Sequence, residues 1–129
     1  MQTLKIKTSG REEFVNITDL VEGAVKQSGI KDGAAVIFCP HTTAAITINE
    51  NADPDVCVDM IKGLKNISPV DRTYTHMEGN SNAHIKSSLV GASETIIIEN
   101  GELVLGTWQG IFFCEFDGPR DRTVFVKVI

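Results

Sequence analysis

The chain has three histidines, His41, His76 and His84, and each falls at a strand end or in a loop, next to glycine, proline or small polar residues. Three imidazoles that converge match a three-ligand zinc site with an open fourth position, the arrangement that activates a bound water or substrate oxygen. The spacing carries no H-E-x-x-H or paired-cysteine signature, so isolated polar contacts compete as an explanation for each. His76 and His84 are too far apart for one helix face, and a loop folding back is needed to join them.

Two of the three lie in the stretch Tyr74 to Gly91, Y-T-H-M-E-G-N-S-N-A-H-I-K-S-S-L-V-G. Gly79-Asn80-Ser81-Asn82 predicts a loop that caps a helix of about ten residues starting near Ser81 and ending at Gly91. Ile85 and Leu89, four apart, are expected to bury, leaving His84, Ser87 and Ser88 to face a cleft. The free amides of such a helix start hold an anion well, and His84 stands just inside it.

The acidic candidates are Glu50, Asp53, Asp55, Glu78 and Glu115. Glu115 falls inside the apolar run I-F-F-C-E-F; it is either an edge residue facing water or a buried carboxylate whose pKa rises unless a cation pairs it. Asp53 before Pro54 suits a helix cap. Arg120 and Arg122 offer forked donors to an anion, and Ser81, Ser87, Ser88 and Thr107 offer hydroxyls. No Ser-His-Asp pattern, phosphate loop or dinucleotide fingerprint is present, which disfavours hydride transfer and ATP-driven chemistry.

A net charge of −5 with scattered lysines supplies no footprint for nucleic acid, and no apolar run is long enough for a membrane span. Cys39, Cys57 and Cys114 are an odd number, widely spaced in apolar surroundings, which predicts reduced thiols in a cytoplasmic protein. At 129 residues one domain is expected, with a core that needs no staples.

These candidates must be positioned by alternating strands. Leu4–Thr8 and Glu13–Ile17 are expected as an opening hairpin, followed by a helix of about ten residues capped by Thr18 and stopped at Gly29, with Leu20, Val21, Ala24 and Val25 as its apolar stripe. Ala34–Cys39 is apolar enough for a strand buried on both faces and delivers His41 beyond Pro40. A strand from Ala45 to Asn49 and the longest helix, from Pro54 to about Ile67, follow. After Gly91 the pattern is β throughout: Glu94–Glu99, a hairpin at Asn100-Gly101, a glycine-flanked bend at Trp108, then Ile111–Phe116 and Thr123–Ile129 joined by an exposed turn. The expected class is α+β: two packed mixed β-sheets with about three helices covering one side, and one sheet face buried by another copy.

H-T-T-A-A-I-T-I-N-E-N-A-D-P-D-V from His41, H-M-E-G-N-S-N-A-H-I-K-S-S-L-V-G from His76, and Ser93-x-x-Ile96-x-Ile98-x-x-Gly101-x4-Gly106-Thr107-Trp108-Gln109-x-Ile111 together resemble the YjbQ-like family, also called secondary thiamine-phosphate synthases. The resemblance covers nearly the whole chain. It implies a homotrimer that weakly joins a hydroxymethylpyrimidine diphosphate to a thiazole phosphate, releasing pyrophosphate; the residues alone leave open a histidine-ligated metal-dependent hydrolase of an unidentified small substrate, or a non-catalytic trimeric anion-binding module. Carried over by motif, His41, His76 and His84 become the polar cluster and metal ligands. His41, His84 and Glu115 are the catalytic candidates, and Asn80, Ser81, Asn82, Thr107, Trp108 and Arg120 the candidates for holding the phosphorylated substrate. The implied cofactor is a divalent metal, zinc on the histidines or magnesium with the substrate phosphates. Asp121 weakens the local positive field at the arginine turn, where the family tends to be basic.

Overall fold

The computed structural model describes residues 1–129. Eight strands and three helices follow the order β1 (Gln2–Lys7), β2 (Glu13–Asn16), α1 (Thr18–Ser28), β3 (Gly33–Phe38), β4 (Ala44–Glu50), α2 (Pro54–Ile67), α3 (Ser81–Val90), β5 (Ser93–Glu99), β6 (Glu102–Leu103), β7 (Gln109–Glu115) and β8 (Asp121–Val128). They form a five-stranded sheet, β1-β8-β3-β5-β6, packed on a three-stranded sheet, β2-β7-β4. Every pairing is antiparallel, so the sheets are not mixed as expected.

The core lies between the sheets. Ile6, Ile37, Ile96, Val124 and Val126 from the larger sheet meet Ala44, Ile46, Ile111 and Phe113 from the smaller one, with Val21 and Ala24 of α1 in the same layer. Burying each of the larger side chains contributes about 1.5–3 kcal/mol. β7 is central and covered on both faces: Ile111 and Phe113 point inward, while Phe112, Cys114 and Phe116 pack outward against Ala83 of α3, with Cys57 and Leu64 of α2 alongside. This two-sided cover explains its unbroken apolar run. The helices thus split: α2 and α3 cover the smaller sheet, and α1 belongs to the layer between sheets.

Local chemistry explains several boundaries. Asn100 (φ 53) and Gly101 (φ 78) make the tight β5–β6 turn that Asn-Gly favours. Asp53 accepts the Asp55 amide and Pro54 opens α2. Gly29, at φ 71, stops α1. Gly110 is needed because a β-carbon there would come within 2.5 Å of the Asn51 side chain.

Four local expectations fail for identifiable reasons. β1 pairs with β8 and β2 with β7, so the first two strands enter different sheets and form no hairpin. β3 buries Ala35 and Ile37 but leaves Phe38 exposed, because no second layer covers the outer face of its sheet. Leu20 of α1 is exposed too. In α3 the buried face is Asn82, Ala83, Lys86 and Ser87, whereas Leu89 is exposed and Ile85 half-buried. Ala83 and Ser87, with short side chains, let the helix lie close on β4, where the Ser87 hydroxyl donates to the Ala44 carbonyl at 2.7 Å.

Candidate functional site

The three histidines come to one place. A cleft of ≈ 440 Å³ opens where β3 and β7 end and β8 begins, and no apolar side chain other than Pro40 is among its lining residues, which include His41, Thr43, His76, His84, Arg120 and Arg122. β3 stops at Phe38, and the Pro40 turn carries His41 to the rim. His84 projects from the first turns of α3, and His76 arrives on the irregular segment after α2, as the loop-back from spacing required. Their rings meet edge to face with centroids 5.4 Å apart.

The floor of the cleft is built from two carboxylate–guanidinium clamps. Glu115, the last residue of β7, and Asp117, two beyond it, face Arg122 near the start of β8 and Arg120 just before that strand. Glu115 is fully buried, and both its oxygens are occupied. Oε1 accepts from Arg122 Nε at 2.8 Å and the Thr8 hydroxyl at 2.7 Å; Oε2 accepts from Arg122 Nη2 and the Asp117 amide. Burial pushes its pKa up, but the Arg122, Thr8 and Asp117 donors outweigh that and hold the carboxyl below its ordinary value. The edge-strand alternative is excluded, and the carboxylate reaches the cleft only through Arg122.

Asp117, also buried, gathers three donors: Asn80 Nδ2 at 2.7 Å, Arg120 Nη2 at 3.0 Å and Arg11 Nη2 at 3.3 Å. The segment Asp117 to Arg122 is exposed as expected at Pro119, Arg120 and Asp121, but not at its two ends. It runs from one sheet to the other, with Asp117 and Arg122 buried and Arg120 half-exposed.

Each arginine has one nitrogen left over. Arg120 donates through Nε and Nη2 to Asp117, and Arg122 through Nε and Nη2 to Glu115 and Thr43. In both, Nη1 has no protein acceptor, and both side chains line the cleft. Two oriented guanidinium donors in a polar recess are suited to phosphate oxygens.

The histidines do not form the metal set expected of them. His41 Nε2 accepts the Thr123 amide at 3.0 Å, so its lone pair is already engaged. Ligation through Nδ1 instead would need the ring proton on Nε2, against that N–H. No three His, Cys, Asp or Glu side chains lie together in a way that could hold a metal ion. The residues present do not fit a three-histidine centre.

Other expected site residues are dispersed. Asn80 lines the cleft, but its amide is turned to Asp117 instead of capping α3. Ser81 and Asn82 are not among the lining residues; Asn82 is buried, its carbonyl taking the Ser68 hydroxyl. Thr107 and Trp108 precede β7, roughly 20 Å of strand away from Glu115. Residue patterns missed Asp117, Thr43 and Thr8. The only available signal was the matched i, i+2 spacing of Glu115/Asp117 and Arg120/Arg122.

Comparisons with known proteins agree with this architecture. A UPF0047 protein from Bacillus subtilis, YugU, is 57% identical over 130 residues, covering 100% of this chain and 98% of the relative. A UPF0047 protein of Methanocaldococcus jannaschii is 61% identical over 125 residues, covering 97% of this chain and 91% of its own length. An uncharacterized conserved protein of the yjbq/upf0047 family from Clostridium acetobutylicum has a crystal structure that superposes with a TM-score of 0.98 at 61% identity, over 100% of both chains. The model of the family described as UPF0047 protein YjbQ-like matches residues 2–129, and the chain belongs to that family.

Proposed function

We propose that the cleft binds phosphorylated small molecules and carries out a thiamine-phosphate-synthase-type transfer. The observation that supports this best is the pair of guanidinium nitrogens, Arg120 Nη1 and Arg122 Nη1, without protein acceptors in a recess that also holds three imidazoles. In the reaction, the C–O bond between the pyrimidine methylene and the diphosphate breaks, and pyrophosphate leaves with the electron pair. The thiazole nitrogen then forms the new C–N bond. No covalent enzyme intermediate is needed, which suits a cleft whose Thr43 hydroxyl is held by Arg122 instead of by a base. The work of the protein is to neutralise the leaving group and hold both reactants together, tasks that fixed donors perform well. Magnesium, in this proposal, arrives with the substrate phosphates.

The protein is further proposed to be a cytoplasmic homotrimer without nucleic-acid or membrane partners. No helix is long and apolar enough to cross a membrane. Phe38 and Ile97 stand exposed on the outer face of the larger sheet, a surface that another copy can cover.

Purified protein, given both phosphorylated halves and magnesium, is expected to form thiamine phosphate. Product no greater than that of a His84→Ala control rejects the transferase. Retention of an anionic metabolite through purification without turnover points instead to a binding module.

A further inference from the structure

The partner of His41 is a strand amide left over where a ladder ends. β3 and β8 pair as far as Phe38 opposite Phe125, so the next position in the same row sets Thr123 opposite Pro40. There β3 has already turned away. The Thr123 amide is donated instead to His41 Nε2 at 3.0 Å, so the imidazole replaces the missing strand acceptor. A nitrogen that accepts an amide hydrogen carries none itself, so the ring hydrogen is on Nδ1.

We infer that His41 is a neutral histidine of fixed tautomer whose Nδ1–H donates to a phosphate oxygen of the substrate, beside Arg120 and Arg122. This rests on the reading of the cleft as a phosphate site. The fixed ring is pre-oriented by the sheet, so donation to an anion costs little reorganisation. The charged groups around it are Arg122 and Arg120 on the β8 side and Glu115 from β7; burial first, then the Arg122 charge, lowers its pKa from the ordinary imidazole value and outweighs the Thr123 backbone contact and Glu115, which raise it. A neutral imidazole is what that setting favours. The role differs from both expected ones, since a ring locked in this way neither ligates a metal through Nε2 nor shuttles a proton there.

Two substitutions separate its two hydrogen bonds. His41→Gln places an amide oxygen where Nε2 accepts the Thr123 amide and removes the donor at Nδ1. His41→Asn places an amide N–H near Nδ1 and removes the acceptor. With pyrophosphate as the titrant, His41→Gln is expected to keep the wild-type melting temperature and bind about tenfold more weakly, the size of one charge-assisted hydrogen bond. His41→Asn is expected to melt lower and to bind with an affinity between those of wild type and His41→Gln, since it keeps a donor but loses the Thr123 bond that orients it. Nitrogen-15 spectra of the wild-type protein at neutral pH should show the Nδ1–H tautomer for His41, with its resonances moving on pyrophosphate addition. An Nε2–H tautomer, an imidazolium, or wild-type affinity in His41→Gln overturns the inference. None of these needs thiamine phosphate to be made, so absence of synthase product with the Nδ1–H donor intact removes the transferase alone.

Discussion

Glu115 of β7 and Arg122 of β8 form an ion pair that joins the two sheets directly beneath the cleft, with two hydrogen bonds between carboxylate and guanidinium. The pair continues the inward-facing rows that carry Ile111, Phe113, Val124 and Val126. The layer that is hydrophobic core at one point is charged at its edge. The same guanidinium that is needed to satisfy a buried carboxylate lines the recess, so fold and site share one group.

Removing one partner of such a pair leaves the other charged and buried. Glu115→Gln is expected to lower unfolding free energy by about 3–5 kcal/mol in denaturant titrations. An Arg122→Met, Glu115→Leu double variant should recover most of that stability while losing anion binding.

The pH dependence has a definite sign. The folded carboxyl of Glu115 lies below its ordinary value of 4.5, so its stabilisation is fully present above 4.5 and is lost as pH falls through the lower folded value. Denaturation curves measured from pH 7 downward should show this acid loss in the wild type. The slope should be smaller in Glu115→Gln, which has no carboxyl to protonate there.

Lys86 is a second buried charge. It is fully buried in α3, and its Nζ donates to Glu12 at 2.7 Å, close to the Phe116 ring. Lys86→Met should cost about 3 kcal/mol, somewhat softened because Lys65 also reaches Glu12 at 3.4 Å. Adding Glu12→Gln should recover part of the loss, measured by a double-mutant cycle.

Much of the scaffold was legible because its signals are local. Asn100-Gly101 encodes its own turn, Asp53-Pro54 its own helix start, and the apolar spacing of α1 and α2 their existence. What failed depends on partners distant in sequence. Whether β1 meets β2 or β8 is decided by tertiary pairing, and alternation within each strand looks the same in both cases. The polar buried face of α3 runs against the usual stripe, since Lys86 is satisfied only by Glu12, seventy-four positions away. For the site, the three histidines do line one cleft, although His84 stands in α3 and not in a loop. Ligand geometry was not legible, because the Thr123 amide that engages His41 belongs to another strand.

Asp117 tests whether the clamps orient the arginines. Asp117→Asn keeps a hydrogen-bond acceptor but loses charge opposite Arg120 and Arg11. Pyrophosphate affinity is expected to fall several-fold through misplacement of Arg120, although the cleft becomes more positive. An affinity that rises would mean net charge outweighs orientation.

The histidine cleft is where the anion should rest, and a crystal structure with pyrophosphate tests that directly. Density within hydrogen-bonding distance of Arg120 Nη1, Arg122 Nη1 and the His41 ring is the predicted result. Pyrophosphate ordered at the distant Thr107-Trp108 bend, with the histidine cleft free of it, would contradict the account.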